Sequence, residues 1–382
     1  MGELETLFAV LAALYLTECL FWVRRDAVAF TRWGSGAWQL RFPGATLGNH
    51  RGACLLAHPL PPLGALGVSQ PLPLSLSPEV AFSFTPVALN PAGRATQTMR
   101  LIRWADAREV TVEKKTVCVN GEVFLVTGSP ALAQHIATLL RSLRALPLEK
   151  RAAAIRAALR ASLDSAAVTA RVTAWSERAR PLRWLGNSLF LLLFALGPAL
   201  IWKVGLRPAL WALVVALLAH TISLAVLFLR AHKALFAGTA GDPFTPFLTM
   251  LLAPPTAIRA QDQLARPLLD AFHPLAVARA LCRPAEFESF ARRVWTDLRH
   301  PLLPLCPVDD PLALATVEWT RTASQEAVVE FLRDAKLDPT KLLIVPARED
   351  TANRTYCPRC RTQFLTPGHC ADCGGQPLLA LP

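Results

Sequence analysis

Apolar residues are arranged in two ways along this chain, as unbroken runs and as periodic patterns. The runs are residues 6–23 (TLFAVLAALYLTECLFWV), Trp184 to Val204, Ala209 to Leu229, and Phe244 to Ile258. A bilayer-spanning helix needs about 20 consecutive apolar residues, with about 17 as the lower end, so the first three runs each predict a transmembrane helix. The short Gly205-Leu206-Arg207-Pro208 connection predicts that the second and third form an antiparallel hairpin over 184–230. The fourth run is shorter and holds Pro246 and the pair Pro254-Pro255, which disrupt helix continuity. It is expected to be an interfacial or re-entrant segment over 243–258. The alternative is a true span, which would move everything after it across the membrane.

Between the first two runs lies a long insertion. Residues 26–78 are rich in Pro and Gly and predict loops with short strands. From Val80 the pattern sharpens: Val80 to Phe84, Met99 to Trp104 and Val110 to Val112 read as strands, and Val117-Cys118-Val119 meets Val123-Phe124-Leu125 across Asn120-Gly121. Asn-Gly between β-rich runs predicts a hairpin, because both central residues of a type I′ turn need positive φ. Ser129-Pro130 then supplies an N-cap and a first-turn proline. Leu132, Ile136, Leu139, Leu140 and Leu143 recur on one face of the helix that follows. Antiparallel strands closed by an amphipathic helix, over about 80–146, resemble the bacterial pleckstrin-homology-like domains found beside membrane spans. The likeness rests on element order and has no diagnostic motif.

Residues 149–183 form a basic juxtamembrane helix with Ile155, Leu159 and Leu163, then Val168, Val172 and Trp175, on its apolar face. An interruption is expected near Asp164-Ser165, and Pro181 is expected to separate the helix from the membrane span. Residues 259–350 read as a helical soluble domain, with helices in Leu264 to Arg283 and Ala285 to Leu298. A further helix is expected to start at Thr322, whose spacing to Gln325 fits a capping box, and to end at Asp338-Pro339.

Composition supports the membrane reading: 53% of the 382 residues are hydrophobic, too many for an ordinary soluble protein. Charge sets the orientation. Residues 1–23 carry three acids and no base, whereas 24–183 carry 21 bases against 9 acids, which accounts for the whole net charge of +12. Arg24-Arg25 follow the first run, Arg178, Arg180 and Arg183 precede the second, and Arg230 and Lys233 follow the third. The positive-inside rule therefore puts both hairpin ends in the cytoplasm and the N-terminus outside. Glu3 and Glu5 before the first run argue against a cleaved signal peptide, which begins with basic residues. The five arginines can also attract anionic lipid head groups; the alternative is that they only satisfy the positive-inside rule and solvate helices.

The most specific chemical signal lies at the far end. Tyr356-Cys357-Pro358-Arg359-Cys360 is followed, after nine residues, by Cys370-Ala371-Asp372-Cys373-Gly374-Gly375. Two such knuckles present four soft thiolates to one ion, a set that suits zinc, which accepts tetrahedral coordination without redox change. The stretch 354–380 resembles zinc ribbons and the rubredoxin-like fold. The resemblance implies Cys357, Cys360, Cys370 and Cys373 as ligands of a closed, structural site. Iron is the rival, disfavoured because only Tyr356 and Phe364 supply aromatic surroundings. His369 beside Cys370 could replace one sulfur, but it is expected to be exposed or to support the ligands from outside. The remaining cysteines, Cys19, Cys54, Cys118, Cys282 and Cys306, are scattered and expected to be reduced core residues.

Other constellations are weaker. Glu18 and His220 are ionisable groups within apolar runs and form a candidate intramembrane pair; the alternative is Glu18 at the interface and His220 hydrogen-bonded between helices with Thr221 or Ser223. His273, Cys282, His300 and Cys306 could form a second metal site, but their irregular spacing favours core or cap roles. No nucleotide-binding loop, serine-nucleophile elbow or metalloprotease motif occurs. The expectation is thus an α+β integral membrane protein with three transmembrane helices, a β-rich cytoplasmic insertion (24–148), a helical C-terminal domain and a zinc ribbon (351–382), in the inner (cytoplasmic) membrane. The expected function is a membrane-anchored scaffold or adaptor that binds a protein partner. The alternatives are an accessory subunit of a membrane enzyme or transporter and a membrane-tethered nucleic-acid binder.

Overall fold

The computed structural model describes residues 29–32, 38–41, 74–89, 95–127, 130–236, 268–269, 271–281, 284–300, 310–358, 360–373 and 376–382. The chain divides into two compact units: residues 1–51 with 169–268, and residues 52–168 with 269–382. The run 6–23, the segment 243–258 and Ser129 lie outside the described residues.

In the first unit, β1 (Ala29–Arg32) and β2 (Trp38–Arg41) form a short antiparallel pair. In the second unit, β3 (Leu74–Leu76), β4 (Val80–Leu89) and β5 (Ala95–Arg103) form one antiparallel sheet in the order β3-β4-β5. A second sheet follows, β6 (Val110–Glu113), β7 (Thr116–Val119) and β8 (Glu122–Val126), also in sequence order. The β7–β8 turn has φ of 55° at Asn120 and 79° at Gly121, as a type I′ hairpin requires. Asn120 Oδ1 also accepts from the backbone N–H groups of Arg108 (2.7 Å) and Glu109 (3.1 Å), tying the turn to the strand beside it. Ser83 Oγ donates to the Phe124 carbonyl at 2.5 Å and links the two sheets.

Helix α1 (Pro130–Ala145) lies against β6 and β7 and buries Leu132, Ile136, Leu140 and Leu143 of the face that the leucine spacing predicts, with Leu139 half-buried at its margin. Helix α2 (Leu148–Ser162) buries Ile155 and Leu159. The chain breaks at Leu163-Asp164, where Asp164 Oδ1 accepts from the N–H groups of Ala166 and Ala167, both at 2.9 Å, and caps α3 (Ser165–Leu191). Contrary to expectation, Pro181 does not end this helix, which runs on to Leu191. The bond that proline removes belongs to the carbonyl of Glu177, an exposed residue, so that carbonyl can turn to other partners.

The apolar stretch Trp184 to Val204 is helical throughout but not one α-helix. A π turn over Leu192–Leu196 separates α3 from α4 (Gly197–Val204), next to Pro198, which has no N–H to donate. Gly197 sits where a Cβ would lie 3.0 Å from the Leu192 carbonyl and 3.4 Å from the Leu213 side chain, so its size permits the close helix approach. Gly205 alone makes the turn, at φ 85°, and α5 (Leu206–Leu235) follows. Among the described residues one helix is long and apolar enough to cross a membrane, Pro208–Leu235, with 28 residues.

The remaining helices belong to the second unit: α6 (Pro274–Leu281), α7 (Pro284–Arg299), α8 (Pro311–Asp334) and α9 (Pro339–Leu342). Helix α8 starts well before Thr322, capped by Asp310, whose carboxylate accepts from the N–H groups of Leu312 (2.8 Å) and Ala313 (3.1 Å). Gln325 does not close a capping box but donates to the Leu298 carbonyl at 3.0 Å. The extra turns carry Thr316 and Thr320 onto the edge strand β3. Thr320 Oγ1 accepts from the Leu76 N–H at 2.8 Å and lies 2.9 Å from the Leu76 carbonyl. The helix thereby covers an edge that would otherwise present unpaired backbone groups. Phe82 of β4 packs against Ala313 and Val317, so the insertion and the C-terminal helices share a core. Arg160 of α2 meets Glu330 of α8 through two bonds, at 2.7 and 2.8 Å.

Candidate metal centre

The C-terminal cysteines sit on a small all-β ribbon. Strands β9 (Thr355–Tyr356) and β10 (Gln363–Phe364) pair antiparallel, and the residues between them form the first knuckle. Cys357 N–H donates to the Thr362 carbonyl at 3.0 Å, and Arg361 N–H donates to the Cys357 carbonyl at 2.8 Å. This tight turn puts Arg361 at φ 66°, a left-handed conformation that glycine adopts without cost. Strands β11 (His369–Cys370) and β12 (Gln376–Pro377) pair likewise around the second knuckle, with Cys370 opposite Gln376. Strand β13 (Leu379–Ala380) returns to β9 and completes a three-stranded sheet in the order β10-β9-β13.

This fold brings the Sγ atoms of Cys357, Cys360 and Cys370 within 4.8 Å of one another. Cys357 and Cys370 are fully buried and Cys360 is exposed. The Cys360 and Cys370 sulfurs are 3.7 Å apart. That is far beyond the about 2.0 Å of a disulfide. It matches the edge of about 3.8 Å expected for a tetrahedron of sulfurs with metal–sulfur bonds of about 2.3 Å. The donor set therefore fits a thiophilic ion. Cys373 ends the turn Ala371–Cys373 directly after β11, within the second knuckle, and its side chain is not among those described. His369 is exposed, outside the cluster formed by the three sulfurs.

Burial pushes the Cys360 thiol up, but hydrogen bonding to the Thr362 hydroxyl and N–H, and to the Cys357 and Cys370 thiols, outweighs it and brings the value down from 9.0 to about 7. The Cys360 Sγ lies 3.2 Å from Thr362 Oγ1. Thiolates are the form that binds metal, so the knuckle is arranged to favour the ligating state. Neither Arg361 nor Thr362 was singled out by the CxxC spacing. The only signal was their place directly after the second cysteine, where a tight turn must bend back.

Among the described residues, the metal-ligand cluster consists of these three cysteines, and the other predicted residues that are described have partners or positions of their own. His220 Nε2 lies 3.0 Å from Ser188 Oγ on α3, and its Nδ1 lies 3.0 Å from the Ala216 carbonyl. Its interhelical partner is thus Ser188 rather than Thr221 or Ser223. Glu18, Arg24 and Arg25 lie outside the described residues. Arg178 is exposed on α3; Arg180 and Arg183 lie on the same helix, and their side chains are not described. His273 is buried, and its Nδ1 accepts from the Leu275 N–H at 3.1 Å, a helix-cap role; Cys282 and Cys306 are not described.

No family model, characterised protein or solved structure matches this chain.

Proposed function

We propose that this protein is a membrane-anchored scaffold or adaptor whose C-terminal ribbon, held by a structural zinc ion, presents a binding surface to a protein partner at the cytoplasmic face. The observation that carries the zinc assignment is the 3.7 Å Cys360–Cys370 separation in a paired-knuckle ribbon. Cys373 is the fourth ligand in this reading, and with four thiolates the ion has no open position for water or substrate. The ion's contribution is to hold together a segment too small to build its own core. Helix α5 supports the anchor. In the full arrangement residues 6–23, the stretch ending at Val204 and α5 are the three spans, with the N-terminus outside. Residues 80–146 act as a pleckstrin-homology-like module, a likeness supported by two antiparallel sheets followed by a helix.

The test compares the full chain with a version lacking residues 354–382, both purified from membranes. The proposal expects equal amounts in the membrane fraction and a stable protein partner recovered only with the full chain. Identical co-purifying proteins from both would overturn it.

A further inference from the structure

Most large apolar side chains that stay exposed among the described residues fall between Trp184 and Val226. On α5 they trace one stripe, Trp211, Val215, Leu218, Ile222 and Val226, at the spacing of a single helical face. The other side of the helix is packed, with Thr221, Leu224, Phe228 and Ala231 buried. The exposed tryptophans mark levels along the hairpin. Trp184 is 70% exposed near the start of the apolar stretch, whereas Trp202 and Trp211, 91% and 74% exposed, flank the Gly205 turn beside the exposed Lys203. At a helical rise of 1.5 Å per residue, Trp184 and Trp202 are about 27 Å apart along the helix. A bilayer's hydrocarbon core is about 30 Å thick. Tryptophan concentrates at both head-group layers because its ring is apolar and its N–H polar.

We propose that the hairpin crosses a lipid bilayer completely, with Trp184 in one head-group layer, Trp202 and Trp211 in the opposite one, and the rest of the stripe, Val215 to Val226, facing acyl chains. This deepens the membrane-anchor reading and rests on it. The tryptophan levels favour lipid over a second copy or another protein as the occupant of the stripe, since a protein interface would not require rings at two levels one hydrocarbon thickness apart.

The experiment uses the full chain in sealed membrane vesicles of known orientation, with Lys203→Cys, Leu218→Cys and Lys233→Cys made singly at exposed positions. A membrane-impermeant maleimide is the probe, and labelling of the unsubstituted protein is subtracted. Expected is labelling of K203C and K233C from opposite faces, with L218C at least tenfold less labelled until detergent is added. Labelling of K203C from the same face as K233C, labelling of L218C in intact vesicles, or protection of L218C that persists in detergent as a protein contact would each overturn the proposal. Alkaline carbonate extraction of the same vesicles separates the two claims. Protein released from the pellet fails the anchor reading as well, whereas protein retained with the wrong labelling pattern fails only the crossing geometry.

Discussion

Thr320 shows how one hydroxyl can decide whether two distant parts of the chain join. It is fully buried and serves both the N–H and the carbonyl of Leu76, on a strand reached through 244 residues of chain. Replacing it with valine keeps the volume but leaves a buried N–H without its partner, a cost of about 1–3 kcal/mol. The thermal midpoint of the full-length protein in detergent should fall for Thr320→Val and be largely retained for Thr320→Ser. At the candidate metal centre Arg361 holds a left-handed conformation, which costs a non-glycine residue about 1–2 kcal/mol. Arg361→Gly should slow metal loss to a chelator, and Arg361→Val, with a branched Cβ at that φ, should speed it. Neither role was legible in the sequence. A threonine in a helix and an arginine after a CxxC look ordinary until the strand edge and the turn are in place.

Among the elements, those with strong local rules were legible. Asn120-Gly121 produced the expected hairpin, the leucine spacing of α1 produced the expected buried face, and Asp164 broke the helix where expected. Where local rules compete with tertiary contact they misled. Thr322 and Gln325 imitate a helix start, but packing of Thr316, Thr320 and Phe82 draws the helix back to Asp310. The pairing of α2 with α8 is charge-dependent. The Arg160 guanidinium bonded to Glu330 holds that carboxyl below its ordinary value of 4.5. A group depressed in the folded state contributes stability above its unfolded value and loses it as pH falls through the folded one. The contribution is small because both groups face solvent. Denaturation followed from pH 6 down to pH 3 should therefore show a slightly shallower loss of stability for Glu330→Gln than for the parent, with the two differing most at the higher pH.

For the whole molecule, the apolar runs, the basic insertion and the thiol knuckles were each legible as patterns. What the patterns did not reveal is that residues 52–168 and 269–382 fold as one unit, because nothing local announces contacts between segments separated by a hundred residues of chain. The ribbon belongs to that unit but is built from strands of only two residues each. Chelation should therefore open residues 354–380 to proteolysis while the helices α1, α2 and α8 keep their amide protection, read by hydrogen exchange before and after metal removal. The most direct test of the central claim is the metal content of the purified full-length protein and of its Cys360→Ser variant. One zinc per chain is expected in the parent and a clear loss in the variant; unchanged stoichiometry in the variant, or no bound metal in the parent, would contradict a zinc-held ribbon.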